Sequence, residues 1–285
     1  MEGTINLEQI MSLLKVDLSA DTLDNIDMDF IRMIKTPLKS IFRTYFRYTV
    51  KGLENIPSGP AIIAGNHNAG ITFLEPMMMA AEYYETLGYD DPLYYLAHDA
   101  MVAIPIVKNF LIKCGCVRAS YENSYRILDN GRKVVVFPGG NYEAFRTFKD
   151  RYRVDFGGHK GFAKLAVSKG VPIVPLLSVG GHETFIVLYR GENLAKILKT
   201  DKILRSKSFP ISLALPWIIS VGPIFHLPLP ARCEIEILPP IFPKDILNDS
   251  MSENEKIDRI YNELTSRLQE KMDEYKSRRR FPVIG

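Results

Sequence analysis

A histidine that ends an apolar run, with a carboxylate a short loop away, can act as a general base. This chain has that pattern: His67 lies in Gly65-Asn66-His67-Asn68-Ala69-Gly70, and Glu75 follows. The carboxylate would hold the imidazole in one tautomer and stabilise the cation formed when the ring takes a proton. Further along, a second apolar run closes on Phe137-Pro138-Gly139-Gly140-Asn141-Tyr142-Glu143. Glycines in such a turn let backbone N–H groups approach a ligand closely. Together the two motifs point to acyl transfer to a hydroxyl without a covalent enzyme intermediate.

Both motifs need rigid elements to aim them. Apolar periodicity predicts a short strand over 61–64 before the His67 loop and a helix over 76–87 after it. Strand patterns follow at 93–97 and 133–137, with helices at 104–114, 121–130 and 160–169; Gly131 and Gly170 stand beyond the ends of the last two. The run 171–177 reads as a strand despite Pro172 and Pro175, which suggests an edge position or a strand start. Residues 232–238 alternate as a last strand. Alternating strands and helices predict an α/β fold: a mostly parallel central sheet flanked by helices. An N-terminal amphipathic helical segment precedes it. The expected division is 1–49 as that segment, 50–245 as the sheet domain and 246–285 as a C-terminal helix.

Residues 7–47 read as helical, with a bend or restart at Pro37. Ile31, Ile34, Leu38, Ile41, Phe42 and Tyr45 share one face, and Arg32, Lys35, Lys39, Arg43 and Arg47 fall on another. Two readings stay open: a surface helix packed on the core, or a basic helix lying on anionic lipid. From Ser208 to Ala231 no residue is charged, but prolines at 210, 216, 223, 228 and 230 argue against a spanning helix. That stretch is expected to form irregular or short-strand structure against a bilayer or inside the protein. The last helix carries a narrow apolar stripe and ends in Lys276-Ser277-Arg278-Arg279-Arg280, which suits the helix dipole and could also touch lipid.

Composition narrows the classes. With 285 residues the chain can hold one large domain, or a domain with a helical appendage, and a net charge of +3 gives no reason to expect a nucleic-acid partner. Cys114, Cys116 and Cys233 do not make a disulfide framework, and no Cys/His set has zinc spacing, so no metal is expected. The amino terminus lacks the features of a signal peptide. No Gly-x-Ser-x-Gly elbow marks a serine nucleophile.

Four blocks in order carry a resemblance. They are Asn66-His67 with its acid, Gly115-Cys116-Val117-Arg118, Phe137-Pro138-Gly139-Gly140 with Glu143, and Val171-Pro172-Ile173-Val174-Pro175 preceded by Lys160-Gly161-Phe162. Over roughly residues 50–245 the chain resembles the glycerolipid, or lysophosphatidic-acid-acyltransferase-like, superfamily. Within it, the chain is similar to the branch that holds diacylglycerol-acyltransferase-like and mycobacterial lysophospholipid-acyltransferase-like proteins. The resemblance implies that His67 takes the proton of an acceptor hydroxyl as its oxygen attacks an acyl thioester, with Glu75 on the other ring nitrogen. It implies acyl-CoA or an acyl carrier protein as co-substrate, no cofactor, and a glycerolipid or lysophospholipid acceptor; the alternatives are a non-glycerolipid alcohol or amine acceptor, or a non-catalytic lipid-binding protein of the same fold. It also implies peripheral or monotopic contact with the cytoplasmic face of a membrane. The oligomeric state stays open.

The chain departs from the commoner family pattern in three places. The acid usually lies five residues after the histidine, where this chain has Thr72, so Glu75 is reached by a longer loop. In the third block, Gly139 and Tyr142 replace the usual glutamate and arginine, while Glu143 and Arg146 come slightly later. The arginine of the second block usually stands where Tyr121 is. Arg118, Arg146 and Lys160 are therefore expected as substrate-binding residues, with solvated surface charge as the alternative. Gly70, Gly139, Gly140 and Glu143 complete the expected substrate site, the glycine N–H groups being candidates to hold an oxyanion. His98-Asp99 and His182-Glu183 are adjacent pairs that point apart, so both are expected to shape walls or rims. His159 and His226 have no supporting context.

Overall fold

A computed structural model describes residues 17–285, apart from positions 68, 73, 100, 104, 201–207, 223–225, 282 and 285. The strands in chain order are β1 (Thr49–Lys51), β2 (Ala61–Gly65), β3 (Leu93–Ala97), β4 (Cys116–Arg118), β5 (Lys133–Val136), β6 (Ile173–Val179), β7 (Ile186–Tyr189), β8 (Ile211–Ala214), β9 (Ile218–Val221) and β10 (Glu234–Ile237). The helices that frame them are α1 (Met28–Phe46), α2 (Leu74–Thr86), α3 (Pro105–Lys113), α4 (Tyr121–Asp129), α5 (Gly140–Ala144), α6 (Gly161–Lys169) and α7 (Glu253–Arg278).

The central sheet has seven strands in the order β1-β10-β6-β2-β5-β3-β4. Every pair in it is parallel except β10 with β6. Strands covered on both faces are apolar at every position, and their alternate residues serve two cores. Ile62 and Ala64 face a core shared with α4, α6 and α7, while Ala61 and Ile63 face one shared with α1 and α2. The expected α/β fold with a mostly parallel sheet is the observed one.

The connections set where a ligand can sit. The chain leaves β2 through α2 towards β3 on one side, and leaves β5 through α6 towards β6 on the other. Since β2 and β5 are neighbours, their carboxyl ends diverge at a topological switch point, the usual crevice for ligands in such sheets. The His67 loop and the Pro138-Gly139-Gly140 turn leave the two strands there.

Three local expectations need correction. The first concerns β6: the edge alternative fails, since β6 lies between β2 and β10, while Pro172 does stand at the strand's start, just before Ile173. Leu238 N–H donates to Pro175 O at 2.9 Å, so the nitrogen side of Pro175 faces the edge where β10 has already ended at Ile237. Leu238 stands opposite Pro175, so the reciprocal bond that an N–H at 175 would make to Leu238 O is the one lost, and regular pairing ends at Ile237.

The second concerns the N-terminal helix, which covers Met28–Phe46 and runs unbroken through Pro37. Positions 7–16 of the expected helix lie outside the described residues, and 17–27 is irregular. In 17–27, Ser19 and Thr22 hydroxyls accept the N–H groups of Asp21 and Asp24, a local alternative to helix. Asp27 then caps α1 by accepting the Phe30 N–H at 2.9 Å.

The third concerns charge on α1. Lys39 meets Glu82 and Glu85 of α2 at 3.0 and 2.6 Å, Lys35 meets Glu85 at 3.3 Å and Arg43 meets Glu82 at 2.9 Å. Of the two readings left open for this helix, the one packed on the core fits: its basic row is largely neutralised by the neighbouring helix, while Phe42 and Phe46 are buried beneath it.

The segment 208–231 contributes β8 and β9, which join β7 in a second, antiparallel sheet. Among the described residues no helix is long and apolar enough to cross a membrane.

Candidate active site

Asn66 is the first fixed point after β2. Its side-chain amide donates to Ser178 O at 2.7 Å and its Oδ1 accepts the Ser178 N–H at 2.8 Å, so the side chain extends the ladder to β6. The next residue, His67, is thereby aimed over the switch point. Its Nδ1 lies 2.7 Å from Oε1 of Glu75, which is fully buried in the first turn of α2. The longer loop expected in place of the usual spacing brings Glu75 to the ring. A carboxylate there favours the tautomer with the proton on Nδ1, which leaves Nε2 with the lone pair.

The second loop grips the histidine by its backbone. Glu143, on α5, accepts the His67 N–H through Oε2 at 3.0 Å. Burial pushes the Glu143 carboxyl up to about 7, against the opposing pull of Arg146 and of the His67 N–H. Gly139 makes this contact possible, because a Cβ there would lie 2.3 Å from Cγ of Glu143. The glycine thus leaves room for a carboxylate beside the His67 backbone.

His182, in the turn after β6, also bonds to the His67 backbone; burial first, then the charges of Arg146 and His67, hold its pKa down to about 3. It stays neutral at any ordinary pH. Sequence reasoning set this residue aside as a wall. A signal was present: Gly180-Gly181-His182 follows β6, and β6 neighbours β2 in the sheet.

The remaining expected residues divide by location. Arg146 is buried; its Nη2 donates to Asp155 O at 2.7 Å and lies 3.4 Å from Glu143 Oε1. Arg118 meets Asp21 at 3.1 Å and Asp99 at 2.8 Å and does not line the cavity described below. Lys160 does line it, while pairing with Asp258 at 2.6 Å. Gly70 has φ +83° and lies against the ring of His226, which stacks on Phe185 at 4.0 Å. The Gly70 N–H donates to Ala144 O at 2.8 Å and the Gly140 N–H to Phe137 O at 3.1 Å. Neither donor is therefore spare in this arrangement. His98 and His159 line the cavity, and Asp99 is the partner of Arg118.

His67 opens on a cavity of about 940 Å³. One wall is apolar, from Ile34 and Leu38 of α1, Met77 and Tyr84 of α2 and Phe110 of α3. Another part of the lining, by Tyr121, His159 and Lys160, is more polar. Phe137 packs against the His67 ring with centroids 5.3 Å apart. Among the described residues no group of three or more His, Cys, Asp or Glu side chains is arranged to hold a metal. The geometry is that of a buried carboxylate–imidazole pair at the wall of a deep, mainly apolar chamber. Such a pair can take a proton from a hydroxyl held beside a long hydrocarbon chain.

Residues 47–179 match the family model for acyltransferases. An uncharacterised protein of Mycobacterium leprae is 30% identical over 241 residues, which is 83% of this chain and 63% of that one. A chicken protein described as a DGAT1/2-independent enzyme synthesizing storage lipids is 28% identical over 161 residues, 52% of this chain and 46% of the other. Phytyl ester synthase 1 of Arabidopsis thaliana is 27% identical over 152 residues, 52% and 21%. The chain thus spans less than two thirds of each of these relatives. In fold it is similar to the 1-acyl-sn-glycerophosphate acyltransferase PlsC of Thermotoga maritima, with a TM-score of 0.52 at 18% identity over 88% of this chain and 83% of that one. The sheet and the ordered motifs at its switch point fall largely within residues 47–179, the stretch that matches the acyltransferase family model.

Proposed function

We propose that this protein is an O-acyltransferase that moves a fatty acyl group from acyl-CoA or an acyl carrier protein to the hydroxyl of a glycerolipid or lysophospholipid. The observation that carries this reading is the 2.7 Å contact between His67 Nδ1 and the buried Glu75, at the wall of a large apolar cavity. In the reaction, Nε2 of His67 accepts the acceptor's hydroxyl proton as that oxygen attacks the thioester carbonyl. The tetrahedral intermediate collapses with cleavage of the C–S bond, and the departing thiolate takes the proton back from the imidazolium. Glu75 stabilises the cation between the two transfers. Glu143 and His182, by holding the main chain of His67, keep the ring in place while its charge changes.

A second reading concerns the acceptor. Arg118 and Arg146, the arginines expected for an acceptor phosphate, are paired within the protein, which favours an uncharged lipid hydroxyl or long-chain alcohol over a lysophosphatidate. The names of the chicken and Arabidopsis relatives, a storage-lipid enzyme and a phytyl ester synthase, support the same direction.

The test is incubation of the purified chain with labelled acyl-CoA and a panel of acceptors: lysophosphatidate, lysophospholipids, diacylglycerol and long-chain alcohols. Transfer that requires both His67 and an added acceptor is expected. Transfer by a His67→Ala protein at the wild-type rate would overturn the mechanism.

A further inference from the structure

The second sheet is built inside out for a protein surface in water. An antiparallel sheet with one covered face normally turns apolar residues inward and polar ones outward. Here Ser212 of β8 and Ser220 of β9 pair across the ladder and are buried, their hydroxyl oxygens 3.0 Å apart. Their strand neighbours Ile219 and Val221 point the other way and are 60% and 48% exposed. At the turn between the strands Trp217 is 54% and Ile218 73% exposed. The inner face is anchored, since Val187 and Ala214 pack with Ala69 beside Gly70 in the His67 loop. The outward apolar face is therefore not a slack hairpin but the back of a layer resting on the site.

We infer that this face of β8 and β9, with the Trp217 turn, seats the protein on the surface of an anionic lipid bilayer. It builds on the reading of the site as a lipid acyltransferase, and names the surface through which that site meets its lipid. Three observations favour a bilayer over a protein partner. No charged residue occurs from Ser208 to Ala231, whereas protein interfaces keep a polar, hydrogen-bonding rim. The preceding described residues 190–200 hold Arg190, Lys196 and Lys199 against Glu192, which suits anionic headgroups. Finally, β9 is an edge strand, apolar and uncharged, the kind that pairs promiscuously unless something covers it. Its open backbone edge limits the depth of entry, since hydrocarbon satisfies no N–H or C=O. Side chains enter the interface and the ladder stays at headgroup level.

Trp217 is the chain's single tryptophan and reports directly on this contact. The full chain is titrated with phosphatidylcholine vesicles with and without phosphatidylglycerol, following sedimentation and Trp217 emission, and again with brominated acyl chains as quenchers. The expected result is binding that strengthens with phosphatidylglycerol, a blue shift, and quenching by bromine. An Ile219→Glu/Val221→Glu double variant is expected to partition at least about tenfold more weakly. Its circular dichroism and its turnover of detergent-dispersed substrates should stay at wild-type level, since both side chains lie on the outer face. Vesicle binding without quenching would show that another surface docks and would overturn the inference. So would a blue shift that depends on protein concentration alone, which would mean that a second copy covers the face. Unchanged vesicle binding by the double variant would overturn it too. Quenching is read without turnover, so an absence of acyl transfer would count against the enzymatic reading and leave this one standing.

Discussion

Glu75 and Glu143 reach His67 from the two loops that flank the switch point, and they touch different parts of it. Glu75 meets the ring at Nδ1, whereas Glu143 takes the backbone N–H. One carboxylate therefore touches the imidazole itself, and the other the main chain that carries it. Both are fully buried. A contact to the ring answers to the charge on that ring, while a contact to the main chain does not depend on it. The difference teaches that a conspicuous Pro-Gly-Gly turn can serve two ends: Pro138 and Gly140 line the cavity, and Gly139 clears space for the carboxylate that holds the histidine backbone.

This contrast can be broken at several points. The largest effect is expected for His67→Ala, which should lower kcat by about 10³-fold or more in single-turnover assays while the thermal midpoint stays near wild type. Glu75→Gln should lower kcat by roughly 10–100-fold with little change in KM, because a neutral amide neither selects the tautomer nor stabilises the imidazolium. If Glu75→Gln changed KM alone, Glu75 would belong to binding rather than to the ring.

Gly139→Ala should act on the other carboxylate. Its Cβ would meet Glu143, at a cost of about 1–3 kcal/mol by the usual measure of overpacking, read as a lower midpoint in calorimetry. Activity should fall several-fold with it.

The smallest effect on activity is expected for Glu143→Gln, whose amide oxygen can still accept the His67 N–H. Since burial raises the Glu143 pKa to about 7, above its unfolded value, the stability it contributes is present in full below the unfolded pKa and is lost as pH rises through 7. Wild type should therefore lose ground against Glu143→Gln between roughly pH 4.5 and 7, by up to about 3 kcal/mol, in urea titrations across that range. A constant difference at all pH values would show that Glu143 does not titrate there.

Much of the fold was legible because its signals are local. The apolar runs around 61–64 and 133–137, the helix-ending Gly131 and Gly170, and the ordered motifs predicted the sheet and the loops that leave it. The failures share a cause. Pro175 looked like an edge marker because a residue pattern does not say where the neighbouring strand ends. The cations of α1 looked free because Glu82, partner of Lys39, lies 43 positions away. Arg146 looked like a ligand for phosphate because the acceptor for its guanidinium, Asp155 O, depends on how a loop folds back. His182 looked incidental because its contact crosses from one strand end to another.

By itself, then, the sequence determined the alternation of strands and helices, the placement of a histidine beyond an apolar strand, and the glycines that the second loop requires. These follow from steric limits and from periodicities a few residues long. Only the tertiary structure decided that Glu75 meets the ring while Glu143 holds its backbone from 76 residues away. It also decided that the basic row of α1 is neutralised and that the uncharged segment turns its aliphatic side chains outward. Charge pairing and exposure are properties of neighbours brought together by packing, and the order of residues along a chain does not contain them.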